Sequence, residues 1–130
     1  MTERPPIRRG VAVSMLLVAL LGANARVASA HAFPERADPR VGSVVRGAPP
    51  VVRIWFDGEL EPAFCQATVS DGSGRRIDQG DARVDPGNRR LLQVSVPALP
   101  PGTYSVHWAV LSIDGHRTTG DYRFIVKGAE

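Results

Sequence analysis

The chain carries one cysteine, Cys65, and two methionines, Met1 and Met15, both near its start. A lone cysteine excludes an internal disulfide, so the fold must be held by packing. Beyond Ala23 no apolar run approaches the roughly 20 residues of a membrane-spanning helix, which excludes such a span from the body of the chain. Helical periodicity is missing too: no segment sustains apolar residues at spacings of three and four. Internal repeats and low-complexity stretches are likewise absent.

What is present first is an export signal. Arg4, Arg8 and Arg9 make a positive start, and the apolar run from Val11 to Ala23 is broken only by Ser14 and Gly22. Ala28-Ser29-Ala30 supplies the small-residue pattern after which a signal peptidase cuts. The expectation is a cleavable signal peptide over residues 1–30 and one mature domain over residues 31–130, with an uncleaved N-terminal anchor as the alternative. General secretion is the default route, because the residues around Arg8-Arg9 fit a twin-arginine signal poorly. The leader contains four of the 16 basic residues and one of the 13 acidic ones, leaving twelve of each. The basic excess of the full chain therefore leaves with the leader. No polybasic patch or aromatic-basic interleaving remains to argue for nucleic acid.

About a hundred residues suffice for one modest domain with a single core. Val52, Ile54 and Phe56 alternate with Arg53, Trp55 and Asp57, and Leu92, Val94 and Val96 with Gln93 and Ser95. Tyr104, Val106, Trp108 and Val110 make a longer alternating set, and Tyr122, Phe124 and Val126 close the series. Turn-forming stretches separate these runs: Gly47 to Pro50, Asp71 to Gly74, Asp85 to Asn88 and Pro97 to Gly102. Roughly seven strands at intervals of about ten residues predict an all-β, immunoglobulin-like antiparallel sandwich. Leu99-Pro-Pro-Gly-Thr-Tyr104 has the spacing of a tyrosine corner, which assigns Tyr104 a structural role. Residues 71 to 90, rich in charge and glycine, read as a mobile hairpin without assignable chemistry. Cys65 alternates with Ala67 and Val69 and reads as a small buried apolar residue, since no second sulfur or nearby histidine accompanies it.

Chemistry is left to three histidines and a few carboxylates. A cut after Ala30 would make His31 the first residue, with a free α-amine beside its imidazole, and those two nitrogens can chelate one metal ion. Asp114-Gly115-His116 follows the apolar strand ending near Ile113. Two residues apart in extended chain, its carboxylate and imidazole can face the same side, and the glycine lets the backbone turn without a Cβ clash. Alone, an Asp-Gly-His is a common turn. Combined with His31 it makes a set of three nitrogens and one oxygen, which suits Cu(II) better than zinc, magnesium or calcium. His107 alternates out of phase with Tyr104, Val106 and Trp108, which puts it on the opposite strand face in a surface or outer-shell role.

Several stretches together resemble the CopC copper-resistance family of exported copper-binding proteins. They are His31-Ala-Phe, Ala37-Asp38-Pro39-Arg40-Val41-Gly42, Phe56-Asp57-Gly58-Glu59-Leu60-Glu61-Pro62, Leu99 to Tyr104, Trp108 and Ser112-Ile-Asp-Gly-His116. The similarity runs in register over nearly the whole expected mature chain. It implies a seven-stranded Greek-key β-sandwich or barrel, a periplasmic location, and Cu(II) held by His31, Asp114 and His116. It also implies a CopD-like inner-membrane copper protein as partner, with the mature domain itself not inserted in the membrane. Some relatives hold Cu(I) on a methionine-rich loop; with Met1 and Met15 both in the leader, the resemblance here is to the Cu(II)-only type.

Two other readings use the same residues. An N-terminal histidine chelate on a sandwich also serves copper-dependent oxidative enzymes such as lytic polysaccharide monooxygenases. Asp114 separates the two, because a carboxylate completing the equatorial plane leaves no open position for oxygen, and catalytic metal sites keep one. The short chain also offers little extended aromatic surface for a polysaccharide. A metal-independent interaction module would leave the histidines incidental. The reading carried forward is a binding protein, not an enzyme. Mass spectrometry of the secreted product is expected to find His31 as its first residue; any other start removes the amine donor.

Overall fold

The structure, a computed structural model, describes residues 31–47 and 49–128. The expected signal peptide and its cleavage after Ala30 lie outside the described residues. Among the described residues the chain forms eight strands: β1 (Pro34–Asp38), β2 (Val44–Arg46), β3 (Val51–Phe56), β4 (Gln66–Ser70), β5 (Arg83–Asp85), β6 (Asn88–Ser95), β7 (Gly102–Leu111) and β8 (Arg117–Lys127). The one helical element among the described residues is a single 3-10 turn at Pro62–Phe64. Roughly seven were expected; β2 and β5, three residues each, are too short to show as alternation. The strands form two four-stranded sheets, β1-β3-β6-β5 and β2-β8-β7-β4, antiparallel throughout except where β2 runs parallel to β8.

Each sheet buries one face against the other, as the alternation requires. From the first sheet come Val52, Ile54, Phe56, Leu92 and Val94, and from the second Val69, Val106, Val110 and Phe124, all nearly inaccessible. Phe56 meets Trp108 edge-on across the interface at 5.3 Å between ring centroids, and Tyr104 stacks on Phe124 at 5.6 Å. Such pairs add specificity to the area they bury. The Tyr104 hydroxyl donates to the Pro100 carbonyl at 2.5 Å, closing the tyrosine corner expected from its spacing.

Residues 71 to 90 differ from expectation. Only the part from Arg83 onward is a hairpin, pairing β5 with β6. The rest is a loop fastened by three aspartates. Asp71 accepts the amides of Ser73 and Arg75, and Asp81 accepts the amide of Ser95. Asp78, its side chain wholly buried, accepts the amides of Val69 and Gly80 and pairs with Arg76 at 2.8 Å. The charge of this stretch here satisfies backbone donors.

β7 and β8 are the longest pair, matched from Gly102↔Val126 to Leu111↔Arg117. Trp108 lies opposite Gly120 in that ladder, and its indole lies where a side chain at Gly120 would have to go: a Cβ there would stand 2.7 Å from Trp108 Cε2. The absent side chain is what admits the ring. Gly120→Ala is therefore expected to cost about 1–3 kcal/mol by overpacking, read from urea unfolding followed by tryptophan fluorescence. An unchanged midpoint would show that the ring moves freely out of the way.

Candidate metal centre

The β7–β8 connection, residues 112 to 116, projects from one pole of the sandwich. Gly115 has φ +89°, a left-handed conformation that glycine adopts without strain. Its amide donates to the Ser112 carbonyl at 2.9 Å, and the Ser112 amide donates to the His116 carbonyl at 3.0 Å. The neighbouring segment braces the loop from one side, with a bridge between Leu60 and Ser112 and a bond from the Ile113 amide to the Glu59 carbonyl at 3.2 Å. Tightly closed, the loop can hold its side chains in one arrangement.

Within it Asp114 is engaged through both oxygens. The hydroxyl of buried Ser112 donates to Oδ1, the His116 amide reaches the same oxygen at 3.2 Å, and Oδ2 lies 2.7 Å from His116 Nδ1. Although the loop is exposed, the Asp114 side chain is only 22% accessible. The Ser112 hydroxyl is the main cause that holds its carboxyl at about 2, well below the usual carboxylate range; the His116 side chain and amide add to it. An ionised carboxylate can only accept a hydrogen bond, so His116 Nδ1 donates in this pairing, and Nε2 is the ring nitrogen that Asp114 leaves unengaged. His116 itself is 58% exposed and open to a ligand.

His31 arrives from the opposite sheet, three residues before β1. Its ring lies 4.2 Å from that of His116, centroid to centroid, at 73°. One ligand atom each from His31, Asp114 and His116 falls within 4.8 Å of the other two. Residues 83 positions apart in the chain are thus brought to a single point. What holds the first of them is Ala32, fully buried, with its Cα 3.6 Å from where a Cβ on Gly58 would stand. The Ala32 carbonyl accepts from Thr118 Oγ1 at 2.8 Å. Phe33 is bound twice by Asp57: its amide donates to Oδ1 at 2.7 Å, and its carbonyl accepts the Asp57 amide at 2.9 Å.

Two borderline residues lie apart from this group. His107 sits on the outer face of β7, paired across the strand with Asp121 at 2.7 Å, both largely exposed. Cys65 is buried, with Sγ 3.2 Å from the Glu61 carbonyl, and burial pushes its thiol up. A raised thiol in an apolar site is a poor metal ligand. The residues that sequence reasoning left without roles are Ser112, Asp57 and Thr118. Ser112 had a usable signal, since it shares the strand parity of Asp114 and His116. Thr118 had none, because its partner lies 86 residues away.

The arrangement offers two imidazoles and a carboxylate at an exposed pole, a borderline nitrogen and oxygen set suited to a divalent transition ion. Ser112→Ala is expected to raise the Asp114 pKa from about 2 toward the ordinary value near 3.9. The sign follows from linkage: a depressed carboxyl stabilises the fold above its unfolded pKa and loses that contribution as pH falls toward 2. An NMR titration of the Asp114 carboxyl checks this, and an unmoved midpoint would remove Ser112 from the account.

Comparison with known proteins bears on the whole domain. The family model described as the CopC domain matches residues 34–127. Protein YobA of Escherichia coli strain K12 is 33% identical over 99 residues, covering 75% of this chain and 80% of that protein. Among solved structures, CopC from Methylosinus trichosporium OB3b superposes with a TM-score of 0.72 at 34% identity, covering 77% of this chain and 97% of that one. PcoC, a methionine-rich copper resistance protein from Escherichia coli, gives a TM-score of 0.65 at 29% identity, with coverages of 75% and 99%. The family match starts at Pro34, just past His31.

Proposed function

The chain belongs to the CopC family, and from that premise we propose that it is an exported protein that binds Cu(II) and passes it on. It is a binding protein rather than an enzyme. One observation carries the proposal: His31, Asp114 and His116 bring a ligand atom each within 4.8 Å of one another. The donor set chooses the metal. Imidazole nitrogen with carboxylate oxygen in a tetragonal arrangement favours Cu(II), whereas zinc prefers a closed tetrahedron and calcium or magnesium prefers oxygen.

Cleavage after Ala30 completes the set. In the unprocessed chain the His31 nitrogen is an amide; in the cut chain it is an amine, able to chelate together with its own imidazole. Export to the periplasm and creation of the full site then become one event. Methionine contributes nothing here, because Met1 and Met15 both belong to the leader, so copper is held in its harder, divalent state rather than by thioethers. Among the described residues no helix is long and apolar enough to cross a membrane. Copper would be handed to a CopD-like protein of the inner membrane, approached through the exposed pole that carries His116.

Copper titration of the protein beginning at His31 is expected to show one tight Cu(II) equivalent. His31→Ala or His116→Ala should weaken it by more than about 100-fold, beyond the 10- to 100-fold that outer-shell partners cost. Protons compete for the same nitrogens, so affinity should fall steadily between roughly pH 8 and pH 5. Asp114, ionised down to about 2, adds nothing to that slope. Retaining Ala30 in front of His31 should weaken binding as well. Equal affinity in all these proteins would sink the site.

A further inference from the structure

We infer that Thr118 and Asp57 are positioning residues that set the His31 chelate against His116 before metal arrives. The inference rests on the copper reading above and concerns residues outside its ligand set. A histidine at a free chain end would ordinarily sample many backbone conformations, and each must be given up when two of its nitrogens grip one ion. Here the two residues that follow it are already fixed. Ala32 is fully buried, its carbonyl takes the Thr118 hydroxyl at 2.8 Å, and Phe33 is held by Asp57 through two bonds of 2.7 and 2.9 Å.

The two clamps come from different sheets. Asp57 directly follows β3 of the first sheet, and Thr118 is the second residue of β8 in the second. Thr118 also stands two residues after His116, and its place in the ladder is fixed by Thr118↔Val110 and Arg117↔Leu111. One rigid strand end therefore holds both the His116 ligand and the bond to Ala32. The route from His31 to His116 runs through Ala32, the Thr118 hydroxyl and two residues of β8, with no long flexible side chain in it. Copper bound at this point would close the seam between the sheets, so metal affinity and the geometry of the clamp are coupled.

The test uses the protein beginning at His31 and Cu(II) itself. Thr118→Val keeps the shape and removes the donor; it should weaken Cu(II) binding about tenfold and broaden the copper EPR spectrum, while the melting temperature of the metal-free protein stays within a few degrees. Thr118→Ser, which restores the hydroxyl, should recover both affinity and spectrum. Asp57→Ala should act like Thr118→Val, and Asp57→Asn, which keeps an acceptor oxygen, should not. In metal-free Thr118→Val, the ¹⁵N order parameters of Ala32 and Phe33 should drop. Wild-type affinity and spectrum in both Thr118→Val and Asp57→Ala would overturn the proposal. A wild-type protein that fails to bind Cu(II) would overturn the copper reading instead, and unchanged order parameters in metal-free Thr118→Val would then dismiss the clamp on their own.

Discussion

Ten cross-strand pairs run without a register shift from Gly102↔Val126 to Leu111↔Arg117, and a pleated ladder of that length permits no slippage, because a one-residue slip would turn every buried side chain outward. Its middle is locked by Trp108, whose indole occupies the space left by Gly120 and reaches Phe56 of the other sheet. One end is closed by the tyrosine corner at Tyr104 and Pro100. The other end is the tight loop bearing Asp114 and His116. Core, corner and candidate copper site are thus consequences of the same pairing, read at different heights along it.

At the pole that carries the candidate site, few groups set one another's direction. Ser112 is buried at the strand end and directs its hydroxyl to Asp114; Asp114 in turn engages Nδ1 of His116. Each step is a short hydrogen bond between neighbours, and each sets the next group's direction. His31 is brought in separately, by bonds to the two residues after it from Asp57 beside the first sheet and from the Thr118 hydroxyl of the second. Exposure is part of the arrangement: His116 stands open to solvent, its side chain 58% accessible. Met1 and Met15 are the only two methionines of the sequence, so no thioether can join this group of side chains.

Much of this was legible in the residues. Strict alternation placed the inward faces of β3, β6, β7 and β8, and the spacing of Pro100 and Tyr104 announced the corner. His107 was assigned to the outer face by parity, and it is found there beside Asp121. The short strands β2 and β5 were not visible, because three residues are too few for a period to show. The fastening of the 71–82 loop was not visible in a stretch read as a mobile hairpin, since nothing in composition reveals that Asp78 is wholly buried among backbone amides.

Taken by itself, then, the sequence determined the all-β class, the faces of the long strands and the residue types able to hold copper, because these follow from local periodicity and from the chemistry of each side chain. Tertiary structure decided that Ser112 anchors the loop and that Asp57 and Thr118 hold the segment after His31, and it brings His31 beside Asp114 and His116, a meeting that only the family resemblance had implied. Those contacts join segments far apart in the chain, and no local period encodes where the two sheets will bring their ends together.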